Sequence, residues 1–250
     1  MTRELVVLPD VDAVAWEAAA RLTTAARQAV QARGRFTLAL SGGATPLRLY
    51  SLLGMGEWLV RAPWEQAHIF WADERCVPPD HPDSNYGAAR APMLARLPTP
   101  ADQIHRWYGE ASDPQAEARR YADVLRRHSD RAANGMPRLD LILLGMGADG
   151  HTASLFPHTA ALRVTDAPTA ANHVPQLGAT RLTLTFPALN AARAVLFLVT
   201  GAEKAQTLAR VLEGPAQPDE LPAQGVRPSN GTLTWLVDAA AATELHARCQ

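Results

Sequence analysis

Four stretches of this 250-residue chain place glycines or charges directly after apolar runs. In LDLILLGMGADGHTASLF (139–156), Gly145, Gly147 and Gly150 spell G-x-G-x-x-G around Asp149 and His151. An imidazole beside a carboxylate suits proton transfer near neutral pH, because the acid can orient the ring. In LALSGGATPLRLYSLL (38–53), Ser41, Gly42, Gly43 and Thr45 lead into a helix opened by Pro46. Glycines admit a ligand close to the backbone, and a helix start offers free N–H groups and the positive dipole end, so this loop reads as a phosphate cradle. It has no Walker A lysine, and a nucleoside triphosphate is not implied. In IFWADERCVPPDHPDSNYGAAR (69–90) a strand runs into Asp73, Glu74 and Arg75. Such charges must lie at the solvent end of a buried sheet or line a cleft, and Arg75 can fork onto a phosphate or carboxylate. The fourth stretch supplies Arg181, opening TRLTLTFPALN, and Lys204, in the first helical turn after Gly201.

All but one of the 24 basic residues are arginine; the exception is Lys204. A lysine at a helix N-terminus opposes the dipole, so it is a poor choice for stability alone and points to a ligand that needs a compact ammonium.

The glycine pattern fails as a dinucleotide fingerprint. That motif needs a crossover helix after the glycines and an acid at a second strand end about 20 residues on. Here HTASLF is stopped by Pro157, position 170 is alanine, and no strand is expected to end there. What remains is a tight turn presenting Asp149 and His151. There is no G-x-S-x-G, no H-E-x-x-H and no metal-ligand spacing, and nothing marks Ser154 as an activated nucleophile. The residues point to acid–base chemistry on a small phosphorylated substrate, with a base-activated water suited to a reactive ester or lactone.

Apolar runs at 5–8, 36–40, 69–71, 139–144, 174–177, 182–185, 194–199 and 233–237 predict strands. Helices are expected over 12–33 (capped by Asp12 and ended near Gly34), 46–54, 85–96 (capped by Ser84), 114–133, 202–213 and 239–247. This alternation predicts one α/β domain over 1–250 with a mostly parallel, doubly wound, Rossmann-like sheet flanked by helices on both faces. Ligands of such sheets bind beyond the carboxyl ends of the strands, where all four stretches lie. The net charge of −1 and the lack of a basic stripe argue against nucleic acid and membrane surfaces. No run approaches about 18 apolar residues, and Cys76 and Cys249 lie far apart, so a soluble protein of the reducing cytosol is expected.

Taken together, LALSGGATPLRLYSLL, WADERCVPPDHPDSNYGAAR, LDLILLGMGADGHTASLFP, RLTLTFPALNAA, VTGAEKAQTL and LPAQGVRPSNGTLTWLVDAAAA resemble the 6-phosphogluconolactonases over about 38–242. The resemblance implies hydrolysis of 6-phospho-D-glucono-1,5-lactone, in the oxidative pentose phosphate pathway, without metal or organic cofactor, by a monomer or homodimer. It implies that His151 is the general base for water and that Asp149 orients it or shapes the site. Ser41, Gly42, Gly43, Thr45, Arg181 and Lys204 would face the phosphate. Asp73 would line the cleft, and Arg75 would bind substrate or steady charge on oxygen. The related glucosamine-6-phosphate deaminases carry a ring-opening glutamate seven residues after the turn's aspartate. Phe156 stands there in this chain. A non-catalytic sugar-phosphate sensor would need the cradle and Lys204 but not His151. The segment HVPQLGAT before the R-L-T-L-T strand departs from the proline-rich, lysine-bearing segment of many members, which bears on the register of Arg181.

Overall fold

The computed structural model describes residues 2–246. Its strands are β1 (Thr2–Leu8), β2 (Phe36–Leu40), β3 (Ala67–Trp71), β4 (Asp73–Arg75), β5 (Asp130–Arg131), β6 (Pro137–Arg138), β7 (Leu141–Leu144), β8 (Thr169–Val174), β9 (Ala179–Leu184), β10 (Ala194–Val199) and β11 (Thr232–Asp238). The helices are α1 (Val11–Arg33), α2 (Ala44–Leu53), α3 (Trp58–Arg61), α4 (Asn85–Ala89), α5 (Pro114–His128), α6 (Phe186–Ala191) and α7 (Ala205–Glu213).

Six strands form one parallel sheet in the order β1-β11-β10-β7-β2-β3. Every residue of β2 and β7 is buried, which is why β7 reads as an unbroken apolar run and β2 as one interrupted only by Thr37. The chain leaves β2 toward β3 on one side, whereas β7 leads to β10 on the other. The sheet therefore has its switch point between β2 and β7, and their carboxyl ends open a crevice there. Ser41 Oγ spans it by donating to the Leu143 carbonyl at 2.8 Å. The buried side chains form one connected cluster running from Val14 to Ala241. A second, antiparallel sheet, β4-β9-β8, sits beyond the carboxyl end of β3 and walls the crevice.

Several boundaries differ from the sequence expectation, each for a local reason. Asp10, not Asp12, caps α1, accepting from the Ala13 N–H at 2.9 Å, and Asp12 instead pairs with Arg48. Gly34 ends that helix at φ 72°, as expected. Helix α2 begins at Ala44, so Pro46 is its third residue, and Gly43 takes the cap position at φ 113°. The expected helix over 85–96 changes to a π-type turn at Arg90–Leu94, where Pro92 removes a backbone donor. Its Ser84 cap holds, accepting from the Gly87 N–H at 3.0 Å.

Helix α5 stops at His128 because extended Ser129 turns its hydroxyl back onto the Leu125 carbonyl, and the β5–β6 hairpin follows. The strand expected at 174–177 is in fact β8, ending at Val174. Pro175–Leu177 forms a turn into β9, closed by Gly178 at φ 56°. Residues 239–244 are turns rather than a helix, since the Asp238 carboxylate takes the Ala241 N–H at 2.8 Å. Position 247 and Cys249 lie outside the described residues.

Candidate active site

A cavity of about 350 Å³ fills the crevice, lined by Ser41, Gly42, Gly43, Thr45, Asp73, Arg75, His151 and Lys204 among others. Larger hollows of about 590 Å³ beside α5 and 500 Å³ beside α1 lie away from the carboxyl ends of β2 and β7.

The turn after β7 is closed by the Gly147 N–H on the His151 carbonyl (2.9 Å) and the Gly150 N–H on the Gly147 carbonyl (3.0 Å). Within it Asp149 Oδ1 accepts the His151 backbone N–H at 3.1 Å and lies 2.6 Å from His151 Nδ1. The carboxylate thus holds the ring from behind, outside the cavity lining, and the ring stacks on Phe156 with centroids 4.1 Å apart. Burial pushes the Asp149 carboxyl up, but the hydrogen bond and charge of His151 outweigh it and leave it below the usual range. An ionised Asp149 accepts Nδ1–H, which leaves Nε2 as the basic nitrogen.

The glycine at 147 makes room for this pair. A Cβ there would overlap the His151 ring and come within 2.5 Å of Asp149 Oδ1. Gly147→Ala is expected to lower kcat about 10²-fold through misplacement of the ring. Crystallography of the variant would show the ring displaced. Wild-type turnover in the variant would remove the steric argument.

On the opposite wall, the turn after β2 runs through Gly43, whose positive φ only glycine adopts without strain. Gly42 presses on Asn85, so closely that any side chain at 42 would displace it. The Ser41 hydroxyl is buried and donates to Leu143, so what it can still present is an acceptor. Thr45 Oγ1 lies 2.6 Å from Thr200 Oγ1, linking the cradle to the end of β10.

Asp73 and Glu74 are both buried, with opposite tasks. Asp73 reaches the cavity, accepting from Ser154 Oγ at 2.8 Å and Asn85 Nδ2 at 3.2 Å. Ser154 is thereby committed to Asp73. Glu74 points the other way and accepts the Asn85, Tyr86 and Arg75 N–H groups at 2.7, 2.9 and 2.8 Å. Desolvation pushes its carboxyl up, with those N–H groups working against the rise. Arg75 is steered by the Asp83 carbonyl at 2.6 Å. Arg181 is not among the lining residues. It stands opposite Arg75 in the β4–β9 register, its guanidinium pushed down by burial and by the Arg75 charge.

Asn85, Thr200 and Glu203 also line the cavity and were not singled out in the sequence. Thr200 had a visible signal, its place between a strand and Gly201. Asn85 had none, since its role arises from the close approach of Gly42 across 43 positions.

An open parallel sheet with a polar, cation-bearing crevice at its switch point and an imidazole held by a carboxylate on its wall defines an α/β protein with a small-ligand site. The chain belongs to the glucosamine-6-phosphate isomerase/6-phosphogluconolactonase family, whose model matches residues 9–235. It is 42% identical over 245 residues to a 6-phosphogluconolactonase of Nostoc sp., covering 98% of this chain and 99% of that one. A 6-phosphogluconolactonase of Synechocystis sp. is 43% identical over 90% of each chain. The solved 6-phosphogluconolactonase of Trypanosoma brucei superposes with a TM-score of 0.85 at 26% identity, covering 98% of this chain and 99% of that one. No helix among the described residues is long and apolar enough to cross a membrane.

Proposed function

We propose that the chain hydrolyses 6-phospho-D-glucono-1,5-lactone to 6-phospho-D-gluconate, with His151 as general base. The observation that carries this reading is the 2.6 Å Asp149–His151 pair, whose imidazole lies on the wall of the cavity that the 41–45 turn and Lys204 also line. His151 Nε2 takes a proton from water as the water oxygen bonds to the lactone C1. The tetrahedral intermediate then breaks its C1–O5 bond, and the ring oxygen leaves with the proton carried by the imidazolium. Asp149 keeps the imidazolium oriented and neutralised. The N–H groups of the 42–45 turn and Lys204 hold the phosphate, with Arg181 behind Arg75 adding positive potential. Arg75 reaches the sugar-acid end. A deaminase-type ring opening finds no support, since Phe156 occupies that position and stacks on His151.

The test is lactone made in situ, with turnover corrected for spontaneous hydrolysis. A rate no higher than the spontaneous one would overturn the proposal. Lys204→Ala is expected to raise KM for the phosphorylated lactone about 10- to 100-fold, the worth of one charge-assisted contact, and to leave an unphosphorylated lactone unaffected. Equal losses on both substrates would remove Lys204 from the phosphate site.

A further inference from the structure

Far from the crevice, three imidazoles meet at the edge of the parallel sheet. His68 is the second residue of β3, the edge strand, at its amino end. His105 belongs to the segment that runs alongside β3, its backbone N–H on the Ile69 carbonyl at 2.8 Å. His128 is the last residue of α5. One ring nitrogen from each lies within 4.8 Å of the other two, and His68 Nδ1 faces His105 Nε2 at 3.0 Å. We propose that His68, His105 and His128 form a binding site for a divalent first-row transition ion such as Zn²⁺, with water in the open fourth position.

The spacing of the nitrogens is close to what such an ion requires. Tetrahedral zinc with Zn–N of about 2.0–2.1 Å needs donors roughly 3.3–3.4 Å apart with each lone pair aimed at the ion, so the near-parallel His68 and His105 rings have to part and tilt, and the stacked His128 ring has to turn its nitrogen inward. His105 and His128 line an open cavity of about 440 Å³, which gives an ion a path from solvent. The facing rings share at most one proton between those nitrogens, and that proton moves to the far ring nitrogen when a metal takes the lone pair. Burial, then the His128 and His68 rings and Arg120, pushes His105 down to about 3, so its lone pair is available at neutral pH.

The surrounding charges decide which class of ion fits. Asp102 acts favourably on His68 and His128, whereas Arg35, Arg127 and Arg120 act against a cation. Hard ions such as Mg²⁺ and Ca²⁺ depend on carboxylate and carbonyl oxygens, whereas the clustered donors among the described residues are imidazole nitrogens. Imidazole nitrogen binds transition ions strongly enough to overcome an adverse field. The three histidines are 37 and 23 residues apart, so no spacing pattern announces them. A bound ion would clip the edge strand, the 104–107 segment and the end of α5 together.

Melting curves of the full chain with excess ZnCl₂, NiCl₂ or MgCl₂, and visible spectra with CoCl₂, test this. Zinc and nickel are expected to raise Tm by about 5 °C or more at concentrations well above Kd, magnesium is not, and cobalt is expected to show d–d bands of a low-coordinate imidazole site. His68→Gln and His128→Gln are expected to abolish both signals, and His151→Ala to keep them. Absence of both signals in the unmutated protein would overturn the site, as would an undiminished rise in the glutamine variants. If His68→Gln fails to fold, His128→Gln at the helix end decides. Lactone turnover is not read, so the outcome is independent of the proposed reaction.

Discussion

Replacing His151 with alanine is expected to lower kcat by about 10²- to 10⁴-fold while KM changes only a few-fold. The side chain that disappears is the one lining group whose orientation is held by a carboxylate behind it and an aromatic ring beside it. The groups assigned to the phosphate stand on other loops, after β2 and after β10, so binding should survive its loss. Asp149→Asn separates positioning from chemistry. It keeps the shape but replaces the acceptor by an amide that can present N–H to Nδ1, favouring the tautomer with its proton on Nε2, so kcat should fall with KM again little changed. Steady-state kinetics on the phosphorylated lactone decide both. If His151→Ala turned over at the unmutated rate, the base would have to be another residue.

The largest loss of stability is expected from Asp140→Ala, at the opposite end of the sheet. The Asp140 carboxylate is buried between β2 and β7, accepting the Thr37 N–H and hydroxyl at 2.9 and 2.8 Å and Arg33 Nη2 at 2.7 Å, with Arg193 Nε at 3.2 Å. Alanine would leave the buried Thr37 donors without an acceptor and both guanidiniums with Asp130 alone. Breaking a buried pair from one side costs about 3–5 kcal/mol, and because both arginines stay partly exposed the lower end applies, about 3 kcal/mol or roughly 6–12 °C in Tm. Asp140→Asn keeps an acceptor for Thr37 and should lose less. Urea titration checks the pair, with turnover at 25 °C as control, since the crevice lies beyond the other ends of these strands. A loss below 1 kcal/mol would show that hydration of the two arginines compensates.

How legible the molecule was follows the range of the forces involved. Burial on both faces writes itself into β7 and β10 as unbroken apolar runs and into β2 as one broken only by Thr37, and Gly34 and Ser84 mark helix ends through contacts only three or four residues long. The glycine turn at 145–151 was legible for the same reason, because Gly150 at a positive φ acts within one loop, whereas the i, i+2 spacing of Asp149 and His151 left their contact open. Elements shorter than two turns, such as α3 and α6, were missed, since so few residues carry no measurable periodicity.

By itself, the sequence determined the α/β alternation, the strand-end placement of the polar loops, and the residues fit for acid–base and phosphate chemistry. Only the tertiary structure decided which of them meet. It placed Asp149 against His151, turned Asp73 into the cavity and Glu74 away from it, and left Arg181 behind Arg75. It also drew in Asn85 and Thr200, and gathered three histidines at the far edge of the sheet. The physical reason is that propensity, patterning and capping act along a few neighbouring residues. Strand order, by contrast, is chosen by burying the whole sheet at once, and it alone brings β2 beside β7 across about 100 positions of chain.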